Sequence, residues 1–127
     1  MFEPAMKNSK ATHVNFGFLR GFIASNPKAM PCNIDMVFER KGHFLFGEWK
    51  RPNETMKLGQ EILLFNLAKY EMNTVLVIEG DTDDNEVNIK EVCVINKYGM
   101  YKRVGGSVED FKKYLNKWYQ TVDGGVK

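Results

Sequence analysis

The segment IDMVFERKGHFLFGEWK, residues 34–50, constrains this chain more than any other. Two apolar triplets, Met36-Val37-Phe38 and Phe44-Leu45-Phe46, flank the polar link Arg40-Lys41-Gly42-His43. A glycine in the second central position suits a tight two-residue hairpin turn, which demands positive φ. A turn on Lys41–Gly42 pairs Arg40 with His43. The pairing then runs through Glu39–Phe44, Phe38–Leu45, Val37–Phe46 and Met36–Gly47 to Asp35–Glu48. Directly opposed residues share a face of the sheet, with Cβ atoms roughly 5 Å apart. A slip of one residue would send the two acids to opposite faces.

The rest of the chain supplies partners for this hairpin. NFGFLRGFIASNP predicts a short helix that stops before Pro27, because proline restricts the residue ahead of it. RPNET breaks the chain after the second strand and offers Asn53 or Thr55 as helix caps. MKLGQEILLFNLAKYEM follows as a helix with a wide apolar arc, expected to be well buried. Its Gly59 costs about 1 kcal/mol against alanine, and close approach to a strand is one reason to tolerate it. NTVLVIEG is continuously apolar and rich in branched residues, which suits a central strand covered on both faces. DTDDNEVN reads as a polar loop, EVCVINKYG as a strand and MYKRV as a short return strand. SVEDFKKYLNKWYQ closes the chain as a helix, with Ser107 and Asp110 at capping-box spacing. Phe111, Leu115 and Trp118 or Tyr119 supply its packing side. The order is helix, two strands, helix, two strands, helix. It predicts a single α/β domain over residues 1–127, a sandwich with a mixed β-sheet flanked by helices.

Composition narrows the function only where charge is unevenly spread. The formal net charge is +2, but residues 79–91 hold six acids and one base, while residues 40–57 hold five bases and two acids. Residues 97–117 add six more bases against two acids. If the basic segments converge, they form a positive surface compatible with a polyanion. Two cysteines, Cys32 and Cys93, do not make a disulfide scaffold, and Cys93 in VCVI reads as a small buried hydrophobe. The two histidines lack zinc-ligand spacing. No stretch approaches the roughly 18 apolar residues of a membrane span. The first residues lack a signal peptide's apolar core, so the expected location is intracellular, in the cytoplasm.

The chemistry concentrates at the open end of the hairpin. Opposed carboxylates at Asp35 and Glu48 repel each other and need compensation. Lys50, two residues beyond Glu48 on the same face, can supply it in part. A divalent cation can supply it better, since magnesium and manganese favour carboxylate oxygen. The plainer reading is a solvated strand end in which Lys50 balances the acids. Gly47 leaves room on the strand for an approaching group, and Trp49 points to the opposite face, as a core residue would.

Asp35 at the start of one strand, Glu48-Trp49-Lys50 on the next, and Gln60 opening a helix together resemble the PD-(D/E)XK nuclease superfamily. Its small VRR-NUC-like and phage-type Holliday-junction-resolvase-like members are the most similar. The resemblance covers residues 33–79. It implies a restriction-endonuclease-like core and Mg²⁺-dependent endonucleolytic hydrolysis of DNA, with Mn²⁺ as a substitute. By the same resemblance, Asp35, Glu48 and the Trp49 carbonyl would hold the cation. Lys50 would orient the attacking water or stabilise phosphate charge, and Gln60 would support the site. Ile34 stands where the family has proline. The family often adds an acid from its first helix, and Glu3 is the only acid before Asp35. Arg51 and Lys57 flank the site as candidate phosphate contacts. Lys112, Lys113 and Lys117 read as a solvated face before a second phosphate stripe. Tyr98, Tyr101 and Trp118 are candidates for stacking on unpaired bases, with core packing the expected job of Trp118. The small size leaves no room for a separate sequence-reading domain, which favours branched or structured DNA and a homodimer or larger assembly. Two other readings remain open: a restriction or repair nuclease on duplex DNA, and a non-catalytic DNA- or protein-binding module.

Overall fold

The computed structural model describes residues 14–83 and 85–124. These fall into two units that divide after Pro31. In the first, the predicted helix is only a 3-10 turn at Phe16–Leu19, begun by Asn15, whose side chain accepts from the Gly17 N–H at 2.8 Å. Arg20 is already extended and Gly21 sits at φ +80°, so a helix cannot continue through the second glycine.

The second unit is a small α/β domain with one five-stranded mixed sheet and two helices. Strands β1 (Met36–Arg40) and β2 (His43–Lys50) form the hairpin in the predicted register, from Arg40–His43 to Met36–Gly47. Lys41 at φ 52° and Gly42 at φ 83° give the two positive φ values that a type I′ turn requires. Helix α1 (Leu58–Ala68) crosses over to β3 (Asn73–Asp83), which pairs with β2 in parallel. A parallel neighbour needs such a crossover. Strands β4 (Glu86–Ile95) and β5 (Tyr101–Gly105) add antiparallel, and α2 (Val108–Asp123) ends the fold. The strands lie in chain order from β1 to β5.

Alternation along the strands sends two apolar sets to two faces. Val75, Val77 and Ile95 pack under Leu64 and Ala68 of α1, with Phe46 beside them. Leu45, Leu76, Ile78 and Val92 pack on the other face, against Phe111, Leu115 and Trp118 of α2. Val75 to Ile78 are buried without interruption, which bears out the reading of a central strand. Trp118 faces the core, whereas Tyr119 is 41% exposed. Ser107 caps α2 by accepting from the Asp110 N–H at 3.1 Å. Asp110 returns a bond to Gly106, one residue earlier than a capping box specifies.

Five expectations are corrected here. Neither Asn53 nor Thr55 caps α1: Asn53 is taken into a turn at φ 66°, and the N-cap is Lys57, without a side-chain cap bond. The helix is half-covered: it packs mainly on β3 and β4, with Phe65 edge-on to Tyr101 and Gln60 on Glu48, and Leu58 and Ile62 are left exposed. Gly59 approaches nothing, since a Cβ there would meet no atom within 4 Å. Gly47 leaves no room either: it faces the α2 side, and a Cβ on it would lie 2.6 Å from Met36 Cε. Finally, the acidic stretch after Gly80 is not a loop. It continues β3 and β4 as a paired hairpin through Asp81–Asn88, Thr82–Val87 and Asp83–Glu86. Once the apolar halves of β3 and β4 are in register, their ladder continues into polar sequence at little cost.

Candidate functional site

β2 carries Phe46, Glu48 and Lys50 on one face, the face covered by α1. Cover along this face is uneven: Phe44 at the far end is 38% exposed and Phe46 is half-buried. Glu48 is the buried acid among the described residues, 5% exposed, while Lys50 beyond it is half-buried. Gln60, in the first turn of α1, donates its Nε2–H to Glu48 Oε2. Glu48 Oε1 has no hydrogen-bond partner among the described residues. Burial raises the Glu48 pKa from 4.5 to about 7, and the neighbouring Asp35 carboxylate adds to the rise.

Asp35 lies just before β1, in a bend, so the ladder stops one pair short of the expected Asp35–Glu48 pairing. Its carboxylate turns back to the second strand, and Oδ2 accepts from the Trp49 N–H at 2.8 Å. The two acids still meet closely enough for the Asp35 charge to act on Glu48. In the hairpin's alternation, residues 43, 45, 47 and 49 turn their backbone groups toward β1. The Trp49 peptide thus faces the edge where Asp35 sits, while its indole packs with the α2-side cluster, as expected for a core residue.

Lys50 departs from expectation. It does not balance the Asp35–Glu48 pair. The parallel register sets it opposite Glu79 of β3, and its Nζ lies 3.9 Å from Glu79 Oε1. Glu79 is a site residue that sequence reasoning missed. Its only trace is an acid closing the apolar run NTVLVIEG, and nothing local reveals which strand it will neighbour.

The flanking bases are distributed unevenly. Arg51 and Lys57 are exposed, Lys57 directly before α1 and three residues from Gln60. Arg40 and Lys41 at the hairpin tip are committed to the end of α2: Arg40 bonds Asp123 Oδ1 at 2.6 Å, and Lys41 Nζ bonds the Asp123 carbonyl at 2.6 Å. Lys112, Lys113 and Lys117 are exposed on α2, the helix that covers the face opposite Glu48. Tyr98 is 77% exposed, and Tyr101 meets Phe65 edge-on. Glu3 lies outside the described residues.

The donor set suits a hard divalent cation. Among the described residues a buried carboxylate oxygen lacks a partner, a second carboxylate adjoins it, and Lys50 pairs with Glu79 instead. Among the described residues, no three His, Cys, Asp or Glu side chains converge on one point. A cation here would take two carboxylates and complete its shell with carbonyl oxygen or water. Among the described residues no helix is long and apolar enough to cross a membrane. No family model matches the chain, and no curated protein or solved structure matches it.

Proposed function

We propose that this chain is a Mg²⁺-dependent endonuclease that hydrolyses DNA phosphodiester bonds, built on the restriction-endonuclease-like core of the PD-(D/E)XK superfamily. One observation carries the reading. A buried glutamate, with one oxygen unpartnered among the described residues, meets a second acid, and Lys50 pairs with Glu79 rather than with them. Leaving a buried oxygen unpaired costs about 1–3 kcal/mol, which a structural role would not require. The order of parts supports the same reading: an acid ahead of β1, Glu48 and Lys50 on β2, Gln60 opening α1, and β3 parallel to β2.

Asp35, Glu48 and the Trp49 carbonyl would hold the cation. Bound Mg²⁺ would lower the pKa of a water and offset charge building on the phosphate. Gln60 fixes one Glu48 oxygen, so the other is presented in one orientation. Lys50 stands one strand step beyond Glu48 and brings a donor toward the scissile phosphate. Arg51 and Lys57, both exposed, would hold flanking phosphates. Branched DNA is the favoured substrate and a homodimer the favoured assembly, because cutting two strands takes two sites.

A cleavage panel tests this. Linear duplex, flap, fork and four-way junction are incubated with Mg²⁺, Mn²⁺ or chelator. Metal-dependent cutting of a branched substrate, lost in Glu48→Ala, supports the reading. Preferential cutting of linear duplex would move it to a restriction or repair nuclease. The absence of a third convergent acid among the described residues favours a competing reading, a non-catalytic DNA- or protein-binding module. That module binds without cutting under every metal, and Glu48→Ala leaves its binding intact.

A further inference from the structure

We infer that Glu79 is a positioning residue that holds Lys50 away from the metal-binding acids; the inference rests on the nuclease reading above. Lys50 has two sets of acids within reach of its flexible stem. Asp35 and Glu48 lie back along its own strand and before β1, and Glu79 lies across on β3. Its ion pair is with Glu79, at 3.9 Å, with side-chain exposures of 26% and 19%. Parallel pairing fixes that choice, since Lys50 and Glu79 are register partners on the same face.

The other side of Glu79 explains why it needs Lys50. β4 places Glu91 directly opposite Glu79, and like charges opposed across a ladder are unfavourable. Glu91 is engaged by Arg103 of β5 at 3.5 Å. Four neighbouring strands thus carry a row of charges: Lys50, Glu79, Glu91, Arg103. Each central acid is matched by the cation on its outer side. A register shift falls between Glu79 and Gly80, where the ladder re-aims its side chains. Remove the Glu79 charge and Lys50 loses its anchor. Glu91 is already matched by Arg103, which leaves Asp35 and Glu48 to draw the ammonium onto the pair that should take the cation. Glu79 therefore keeps two positive groups, the lysine and the metal, from competing for the same oxygens.

The test is a double-mutant cycle on metal binding, read by titration calorimetry with Mn²⁺ and needing no turnover. Glu79→Gln should weaken Mn²⁺ binding by about tenfold, and Lys50→Met added to it should restore binding to the wild-type range. Cleavage kinetics on the wild type and E79Q should show kcat falling with KM for DNA nearly unchanged, and Glu79→Asp should recover part of the loss. Weak binding that persists in the K50M/E79Q protein would make Glu79 a metal ligand and overturn the inference. Unchanged Mn²⁺ affinity in E79Q, with only a lower melting temperature, would reduce Glu79 to a structural role and overturn it too. Failure of the nuclease reading looks different: the wild type itself neither binds Mn²⁺ nor cuts, and both proposals fall together.

Discussion

Replacing Glu48 by glutamine should make the metal-free protein more stable at pH 8 while abolishing its response to magnesium. Glu48 is 5% exposed, and its pKa stands at about 7 against an ordinary 4.5. A carboxyl with a raised pKa binds its proton more tightly in the folded state than in the unfolded one. The folded protein therefore holds more protons between about pH 4.5 and 7, and stability falls as pH rises through that window. A rise of this size is worth at most about 3.4 kcal/mol. Solvent at the open end of the strand screens part of it, leaving about 1–2 kcal/mol. Glutamine carries no charge at any pH, can still accept from Gln60, and adds an N–H to point at Asp35. Urea denaturation from pH 4.5 to 8.5 should then show the wild type losing about 1–2 kcal/mol across the window and E48Q losing almost none. The two should converge at the acid end, and at pH 8 E48Q should melt about 4–8 °C higher. Magnesium at a hundred times its dissociation constant should return about 2.7 kcal/mol to the wild type at pH 8 and nothing to E48Q. Parallel stability curves for the two proteins, or equal stabilisation of both by magnesium, would refute the account of a buried, uncompensated acid.

Other outcomes follow from particular contacts. Lys50→Ala should abolish cleavage in the panel assay while leaving the circular dichroism spectrum unchanged, because Lys50 is outside both core clusters. Gly42→Ala forces an alanine to φ near +83° and should cost about 1–2 kcal/mol in urea, although the space itself is adequate, with Met72 Cε 3.8 Å from the added carbon. Ser107→Ala removes the bond to the Asp110 N–H and should cost about 1 kcal/mol with no effect on metal affinity.

Much of the fold was legible from local sequence because local rules decide it. Lys41-Gly42 specifies the turn, and the apolar triplets on either side fix the register that the hairpin shows. The run TVLVI announces a central strand, and Ser107 with Asp110 marks the start of α2. The hairpin also brought Asp35 and Glu48 together, since two strands joined by a two-residue turn have few ways to pair. Where local signals competed, the reading went astray. Asn53 resembles a cap but is taken by a turn, and Gly47 resembles a gap but is filled by Met36 of the paired strand β1.

The sequence alone settled which side chains oppose each other within the hairpin, because turn chemistry and a period of two leave one answer. Only the tertiary structure decided how those groups are balanced. The depth at which Glu48 lies depends on where α1 stops covering the sheet, and the Lys50 partner depends on which residue of β3 arrives beside it. β2 and β3 are joined through a helix rather than a turn, so no short-range rule sets their register. It is set by packing over the whole sheet, and that packing places Glu79 against Lys50 and leaves the Glu48 oxygen without a partner among the described residues.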